Sequence, residues 1–225
     1  MNRMPRPVFP LVISGPSGSG KTSVASWILE QERDTILSVS CTTRPKRRTE
    51  VEGVDYFFVE DADFLARRDR GEFLEWALVH GHLYGTPRAF VDRKMREGRI
   101  VLLDIDVQGA MQVRQTRPDA VLVFLMPPSL IALEERLRGR STEADDVIQR
   151  RLLAARREMS TAPAYDYLVV NRDLEEARRS VRAIVEAERC RASRVLTSAM
   201  VECEPILAEM RLAKAGEIPE NLERR

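Results

Sequence analysis

The segment Gly15-Pro16-Ser17-Gly18-Ser19-Gly20-Lys21-Thr22 matches G-x-x-x-x-G-K-T in full. Each residue type in that spacing has a chemical task. The glycines let backbone N–H groups converge on phosphate oxygens, the lysine reaches the outer phosphates, and the threonine hydroxyl can ligate magnesium. A helix that starts at Lys21 adds partial positive charge. The competing reading is a glycine-rich turn of no consequence. Its surroundings argue against that: the apolar run Phe9 to Ser14 precedes it, and Val24, Ala25, Ile28 and Leu29 follow on one helical face, the strand, loop and helix that a phosphate loop requires.

Two carboxylates form a second candidate group, in Leu103-Asp104-Ile105-Asp106-Val107-Gln108-Gly109. In an open parallel sheet, ligands gather outside the carboxyl ends of the strands. Asp104 and Asp106, at the end of an apolar run, are therefore expected to face the same cleft as Lys21. They are able to help hold magnesium, or a nucleotide sugar or base; an acidic loop that merely begins a helix is the plainer alternative. Basic residues cluster at Arg44 to Arg48 and at Arg150 to Arg157, either as solvated faces or as local anion sites.

The elements that must position these residues read as an α/β fold. Short apolar runs at Phe9 to Ser14, Ile36 to Val39, Ile100 to Asp104, Val121 to Met126 and Tyr167 to Val170 alternate with amphipathic segments, the pattern of a parallel sheet flanked by helices. Ile100-Val101-Leu102-Leu103 is the most continuous Val/Ile/Leu run, so that strand is expected at the centre. Pro10 suits the start of a strand, not its interior. Helices are expected from Lys21, and at about Pro87 to Glu97, Val107 to Gln115, Ser129 to Arg138, Asp145 to Met159 and Leu174 to Arg191. Between them, 42–86 reads as an α+β insertion, with strands at Tyr56 to Val59 and Phe73 to Val79 around a short helix at Ala62 to Arg70. The polar segment 139–147 reads as a mobile cover.

Composition excludes several classes. With 225 residues the chain suits one core with an insertion, and 44% apolar against 32% charged residues is a normal globular balance. Lysine and arginine number 36 against 35 acidic residues, so no overall field draws it to nucleic acid or an anionic membrane. No apolar stretch approaches the ~20 residues of a spanning helix, and Val8 to Ser14 is too short for a signal core. Cys41, Cys190 and Cys203 fit neither an even disulfide framework nor a zinc spacing. A cytoplasmic location is expected.

Beyond these separate features, the chain resembles the guanylate kinase family. The resemblance is carried by Ser38-Val39-Ser40-Cys41-Thr42-Thr43-Arg44 with Arg47 and Glu50, by Gly53-Val54-Asp55-Tyr56-Phe57-Phe58-Val59, by Phe73-Leu74-Glu75-Trp76-Ala77 and by Tyr84-Gly85-Thr86. It continues through Asp104-Ile105-Asp106, Pro127-Pro128-Ser129, Leu137-Arg138-Gly139-Arg140, Arg150-Arg151-Leu152 and Val169-Val170-Asn171, covering roughly residues 9 to 195 in order.

The resemblance implies an ATP-dependent kinase with GMP, or dGMP, as acceptor and Mg2+ accompanying ATP. It implies a core at 8–41, 87–138 and 148–197, a GMP-binding insertion at 42–86, a lid at 139–147, and a tail at 198–225 of unassigned role. ATP is expected on Gly15, Pro16, Ser17, Gly18, Ser19, Gly20, Lys21 and Thr22, with Asn171 near its base and Mg2+ on Thr22, with Asp104 acting through water. The GMP phosphate is expected on Arg44, Arg47, Tyr56 and Tyr84, whose guanidinium and phenol donors suit a dianion. Ser40, Glu75, Thr86, Asp104 and Asp106 are expected around the guanosine. Lys21, Arg136, Arg140 and Arg151 are expected to put charge on the transferring group, the main device of phosphoryl transfer.

Three positions depart from the family pattern: Arg48-Thr49 stand where Pro-Gly is usual, Leu83 where tyrosine is common, and Ser141 where glycine often follows the cover arginine. Two rival readings are a non-enzymatic scaffold module of the same fold and a kinase acting on a phosphorylated ribose. Scaffold modules typically lose the loop lysine or the cover arginines, which this chain keeps, and a ribose site has no need of Glu75, Thr86 and Asp106. The sequence leaves monomer and homo-oligomer equally open.

Overall fold

The computed structural model describes residues 6–79, 81–139 and 145–199. Residues 8–185 form one compact body, built on a parallel five-stranded sheet. Its strands are β1 (Pro10–Ser14), β2 (Thr35–Leu37), β7 (Ile100–Asp104), β8 (Val121–Met126) and β9 (Tyr167–Val170), in the order β2-β7-β1-β8-β9. β1 holds the middle and β7 lies beside it. Both are fully buried over their apolar residues, so hydrophobic continuity cannot rank two interior strands, and the central place expected for Ile100 to Asp104 belongs to its neighbour. Pro10 opens β1, where its missing N–H is tolerated.

Helices cover both faces, which is why the strands read as unbroken apolar runs. On one face Leu11, Ile13, Leu102 and Val123 pack with Val24, Ala25 and Ile28 of α1 (Lys21–Gln31) and with Ala177, Val181 and Val185. On the other, Val12, Val101, Leu103 and Leu122 pack with Val91 of α3 (Arg88–Arg96) and with Ala110 and Val113 of α4 (Val107–Thr116). Truncating one such residue, Leu102→Ala for example, costs about 2–5 kcal/mol.

The second sheet is mixed, in the order β4-β3-β6-β5, from β3 (Ser40–Thr42), β4 (Tyr56–Phe58), β5 (Phe73–Val79) and β6 (His82–Pro87). It packs Cys41 and Phe73 against Phe64 of α2 (Asp61–Asp69). The run Ile36 to Val39 divides here: β2 ends at Leu37 in the first sheet, and the chain enters the second at Ser40. Leu83 is partly buried against this small core, a use for an apolar side chain where the family commonly has tyrosine.

The remaining elements are α5 (Leu130–Arg138), capped by Ser129 through the Ala132 amide at 3.0 Å, then α6 (Asp145–Met159), α7 (Leu174–Arg189) and α8 (Ala192–Ala199). Among the described residues, 6–7 and 186–199 belong to a second unit. Within it, Glu188 accepts a hydrogen bond from Arg194 at 2.9 Å. Among the described residues Cys41 and Cys190 are free thiols, and no helix is long and apolar enough to cross a membrane.

Candidate active site

The phosphate loop joins the carboxyl end of β1 to α1. Gly20 caps α1 in the left-handed region at φ 100°, with no side-chain hydrogen bond to the first turn. The orphan N–H groups of that turn are thus left for an anion. Lys21 Nζ donates to the carbonyls of Gly15 at 2.7 Å and Pro16 at 3.2 Å. Burial pulls the Lys21 pKa down, opposed by Asp104, Glu158 and Asp106. The neighbouring strand supplies a carboxylate because Ile13 of β1 is in register with Asp104 of β7. Thr22 Oγ1 donates to Asp104 Oδ2 at 3.1 Å. Burial raises the Asp104 pKa, with Lys21 and Thr22 acting against it.

A cavity of about 310 Å³ adjoins this loop, lined by Ser40, Tyr56, Glu75, Tyr84, Asp104 and Asp106 together with Ala77, Val79 and Ile105. Seven of the nine guanosine and phosphate residues expected from the resemblance are Ser40, Tyr56, Glu75, Tyr84, Thr86, Asp104 and Asp106, and all but Thr86 line it directly. Thr86 reaches it through Glu75, donating from Oγ1 to Glu75 Oε1 at 2.5 Å and lying 3.4 Å from Ser40 Oγ. Asp106 caps α4 by accepting from the Gly109 amide at 2.8 Å, so the capping reading and the cavity-facing reading both hold for it.

Glu75 is 5% exposed, and the pairing of β5 with β6 shifts register between Phe73 and Glu75. Consecutive residues Leu74 and Glu75 are both buried. Burial raises the Glu75 pKa to about 7; the Thr86 hydroxyl and amide pull it down and Asp106 pushes it up.

Arg44 and Arg47, the other two of the nine, do not line the cavity, though Arg44 touches two residues that do. Arg44 forks onto Glu50, with Nη2 to Oε1 at 2.6 Å and Nη1 to Oε2 at 3.2 Å, and donates from Nε to Tyr84 OH at 3.2 Å. Its guanidinium lies over the Tyr56 ring at 5.5 Å. The Arg47 side chain is exposed, while its amide donates to Glu50 Oε2 at 2.7 Å. The turn between them forms without Pro-Gly: Arg48 and Thr49 occupy it, and the Glu50 amide donates to Arg47 O at 3.1 Å.

Arginines of α5 and α6 reach the phosphate loop and the residue beneath it. Arg151 Nη2 donates to Ser17 Oγ at 2.6 Å, and Arg136 Nη2 to the Asn171 carbonyl at 2.9 Å. Arg140 and Ser141 lie outside the described residues. Asn171, 3% exposed, donates from Nδ2 to Ser19 O at 2.7 Å, bracing the phosphate loop from beneath. A larger depression of about 520 Å³ along β9 and α7 contains none of the residues expected to bind nucleotide or act in catalysis.

Two participants escaped the sequence reading. Glu50 appears in the motif, but its pairing with Arg44 has no sequence signature. Glu158, half-buried on α6, acts on Lys21 through space, and burial raises its pKa. Its one trace is the seven-residue spacing from Arg151, two turns along the same helical face.

Known proteins match this chain over most of its length. The family model described as guanylate kinase matches residues 8–188. A guanylate kinase of Myxococcus xanthus is 50% identical over 186 residues, covering 82% of this chain and 89% of that protein. One of Aromatoleum aromaticum is 52% identical over 181 residues, covering 80% and 89%. The crystal structure of guanylate kinase from Anaplasma phagocytophilum matches with a TM-score of 0.69 at 34% identity, covering 90% of this chain and 98% of that one. With a matching model that spans the phosphate loop, the cavity and both arginine helices, the chain belongs to the guanylate kinase family.

Proposed function

We propose that this chain transfers the terminal phosphoryl group of ATP to GMP, giving ADP and GDP, with ATP on Gly15 to Thr22 and GMP in the cavity at Glu75. The observation that carries this reading is the double position of Asp104. It lines the cavity and also accepts the Thr22 hydroxyl of the phosphate loop, so two nucleotides bound at these places would meet phosphate to phosphate.

The chemistry divides among the residues accordingly. Guanine presents parallel donors at N1 and N2, and an ionised Glu75 can accept both. Adenine, with an acceptor at N1, would leave a buried carboxylate unpaired. Ser40, Thr86 and Asp106 surround that carboxylate. Arg44, Arg47, Tyr56 and Tyr84 offer charge and donors for the GMP phosphate, with Arg44 releasing Glu50 or sharing it. An oxygen of that phosphate forms the new bond to the terminal phosphorus of ATP as the bridging bond breaks and its electron pair leaves on ADP. The reaction needs little covalent help, and positive charge on the equatorial oxygens is the principal aid. Lys21, Arg136, Arg140 and Arg151 are assigned to it.

Thr22 and Asp104 offer hard oxygen donors 3.1 Å apart, which fits Mg2+, with Asp104 acting through water. When bound, the ion would neutralise charge on the outer phosphates. Closure of 42–86 over the core would exclude water that otherwise hydrolyses ATP; of the cover expected at 139–147, residues 140–144 lie outside the described residues. This work is assigned to the cytoplasm. A coupled assay of ADP formation with GMP, AMP or a ribose phosphate tests the reading: turnover confined to GMP is expected, and turnover of AMP or the sugar phosphate at the same rate overturns it.

A further inference from the structure

We propose that Gln112 and Thr116 of α4 are positioning residues for guanine selectivity, holding the strand that carries Glu75 so that both carboxylate oxygens meet the base in register. This rests on the reading that Glu75 pairs with guanine.

β5 is one of the two edge strands of the second sheet, and an edge carries backbone groups that no further strand pairs. Side chains of α4 take up those groups on either side of Glu75. Gln112 Oε1 accepts from the Trp76 amide at 3.0 Å, and Gln112 Nε2 donates to the Trp76 carbonyl at 2.8 Å. One carboxamide thus repeats what a neighbouring strand would do. The Thr116 hydroxyl is shared between the Leu74 carbonyl at 3.2 Å and the Gln112 carbonyl of its own helix at 3.0 Å. The residue between these anchors is Glu75.

The helix face that makes these bonds also bears on the carboxylate. Positions 109, 112 and 116 share one face, and a Cβ added at Gly109 would stand 2.7 Å from Glu75 Oε2. Gly109 is therefore the place where α4 lets the carboxylate lie against its backbone. The clamp falls where the β5–β6 ladder is weakest at fixing register, next to the shift between Phe73 and Glu75. Backbone position there sets where the two oxygens point, and a site that makes paired hydrogen bonds discriminates only while both align.

The test compares GMP with inosine monophosphate, which keeps the N1 donor and lacks the N2 amino group. Gln112→Met preserves chain length and removes both bonds to Trp76. The expected result is a drop of about tenfold in the GMP to inosine monophosphate ratio of kcat/KM, the scale of one member of a bidentate contact, with the KM for ATP unchanged. In a Glu75→Gln background the same substitution is expected to leave the ratio where Glu75→Gln put it, because coupled residues are not additive. A wild-type ratio in Gln112→Met, beside a reduced one in Glu75→Gln, overturns the proposal and leaves the base reading intact. A wild-type ratio in Glu75→Gln overturns the base reading and the proposal with it. If Gln112→Met does not fold, Gln112→Glu, which keeps the acceptor and loses the donor, and Thr116→Val carry the same comparison.

Discussion

Asn171 closes over Gly20: its carboxamide nitrogen lies 2.5 Å from where a Cβ on Gly20 would stand, and it donates to the Ser19 carbonyl at 2.7 Å. The phosphate loop is thus held from below by one buried side chain at the end of β9. In Asn171→Ala that carbonyl loses its partner, which costs about 1–3 kcal/mol. The melting temperature is expected to fall and the KM for ATP to rise, with a smaller change for GMP. Asn171→Asp is expected to be worse, since a carboxylate cannot donate there. Thermal melts and ATP titrations of both variants check this, and wild-type values in Asn171→Ala would remove Asn171 from the loop's support.

Lys21→Ala is expected to reduce turnover on the order of 10³-fold, in keeping with loss of one electrostatic stabiliser of the transferring group. The fold should survive, because among the described residues Lys21 Nζ bonds only to loop carbonyls of Gly15 and Pro16. Circular dichroism and steady-state assays of the purified variant decide it: a folded variant at wild-type activity takes ATP away from this loop.

Arg151 touches Ser17 of the same loop, two turns from Glu158 on α6. Removing a charge that acts only as the phosphoryl group moves lowers kcat and kcat/KM together. Arg151→Ala is expected to do so while changing the KM for GMP little. A rise in KM at constant kcat would make Arg151 a ground-state contact.

The sequence told most about the residues whose task is tied to local spacing. The octet Gly15 to Thr22 can be read because strand, loop and helix are contiguous, and Asp104 because it ends a buried run. What stayed hidden depends on distant pairing. Ile36 to Val39 reads as one strand although the chain changes sheets at Ser38 and Val39, since periodicity does not say which neighbour a strand will find. Glu75, flanked by Leu74 and Trp76, reads from alternation alone as a solvent-facing acid; in the fold it shares the cavity face with Ala77 and Val79, while the apolar Trp76 and Leu78 are the exposed residues. Only the resemblance, which placed it by family position, pointed to the cavity.

The acidity of Glu75 gives the most direct test of the site. Burial raises its pKa from the ordinary 4.5 to about 7. In the ligand-free protein the folded state therefore holds this proton more tightly than the unfolded chain. Its contribution to stability is fully present below pH ~4.5 and is lost as pH rises through about 7. A displacement of that size corresponds to roughly 3 kcal/mol. Glu75→Gln has no such charge to bury, so its melting temperature relative to the wild type is expected to climb between pH 5 and pH 8. Guanine recognition runs the other way, because the carboxylate must be ionised to accept from N1 and N2. GMP binding near pH 6 is expected to expel the Glu75 proton, and the KM for GMP to rise as pH falls below 7. Calorimetry in two buffers of different ionisation enthalpy measures the proton directly. The phosphate of GMP titrates in the same range, but it does so in both enzymes, so the difference between wild type and Glu75→Gln isolates residue 75. Equal proton release from the two, together with parallel pH profiles of melting, would show that Glu75 is not the group that meets the base.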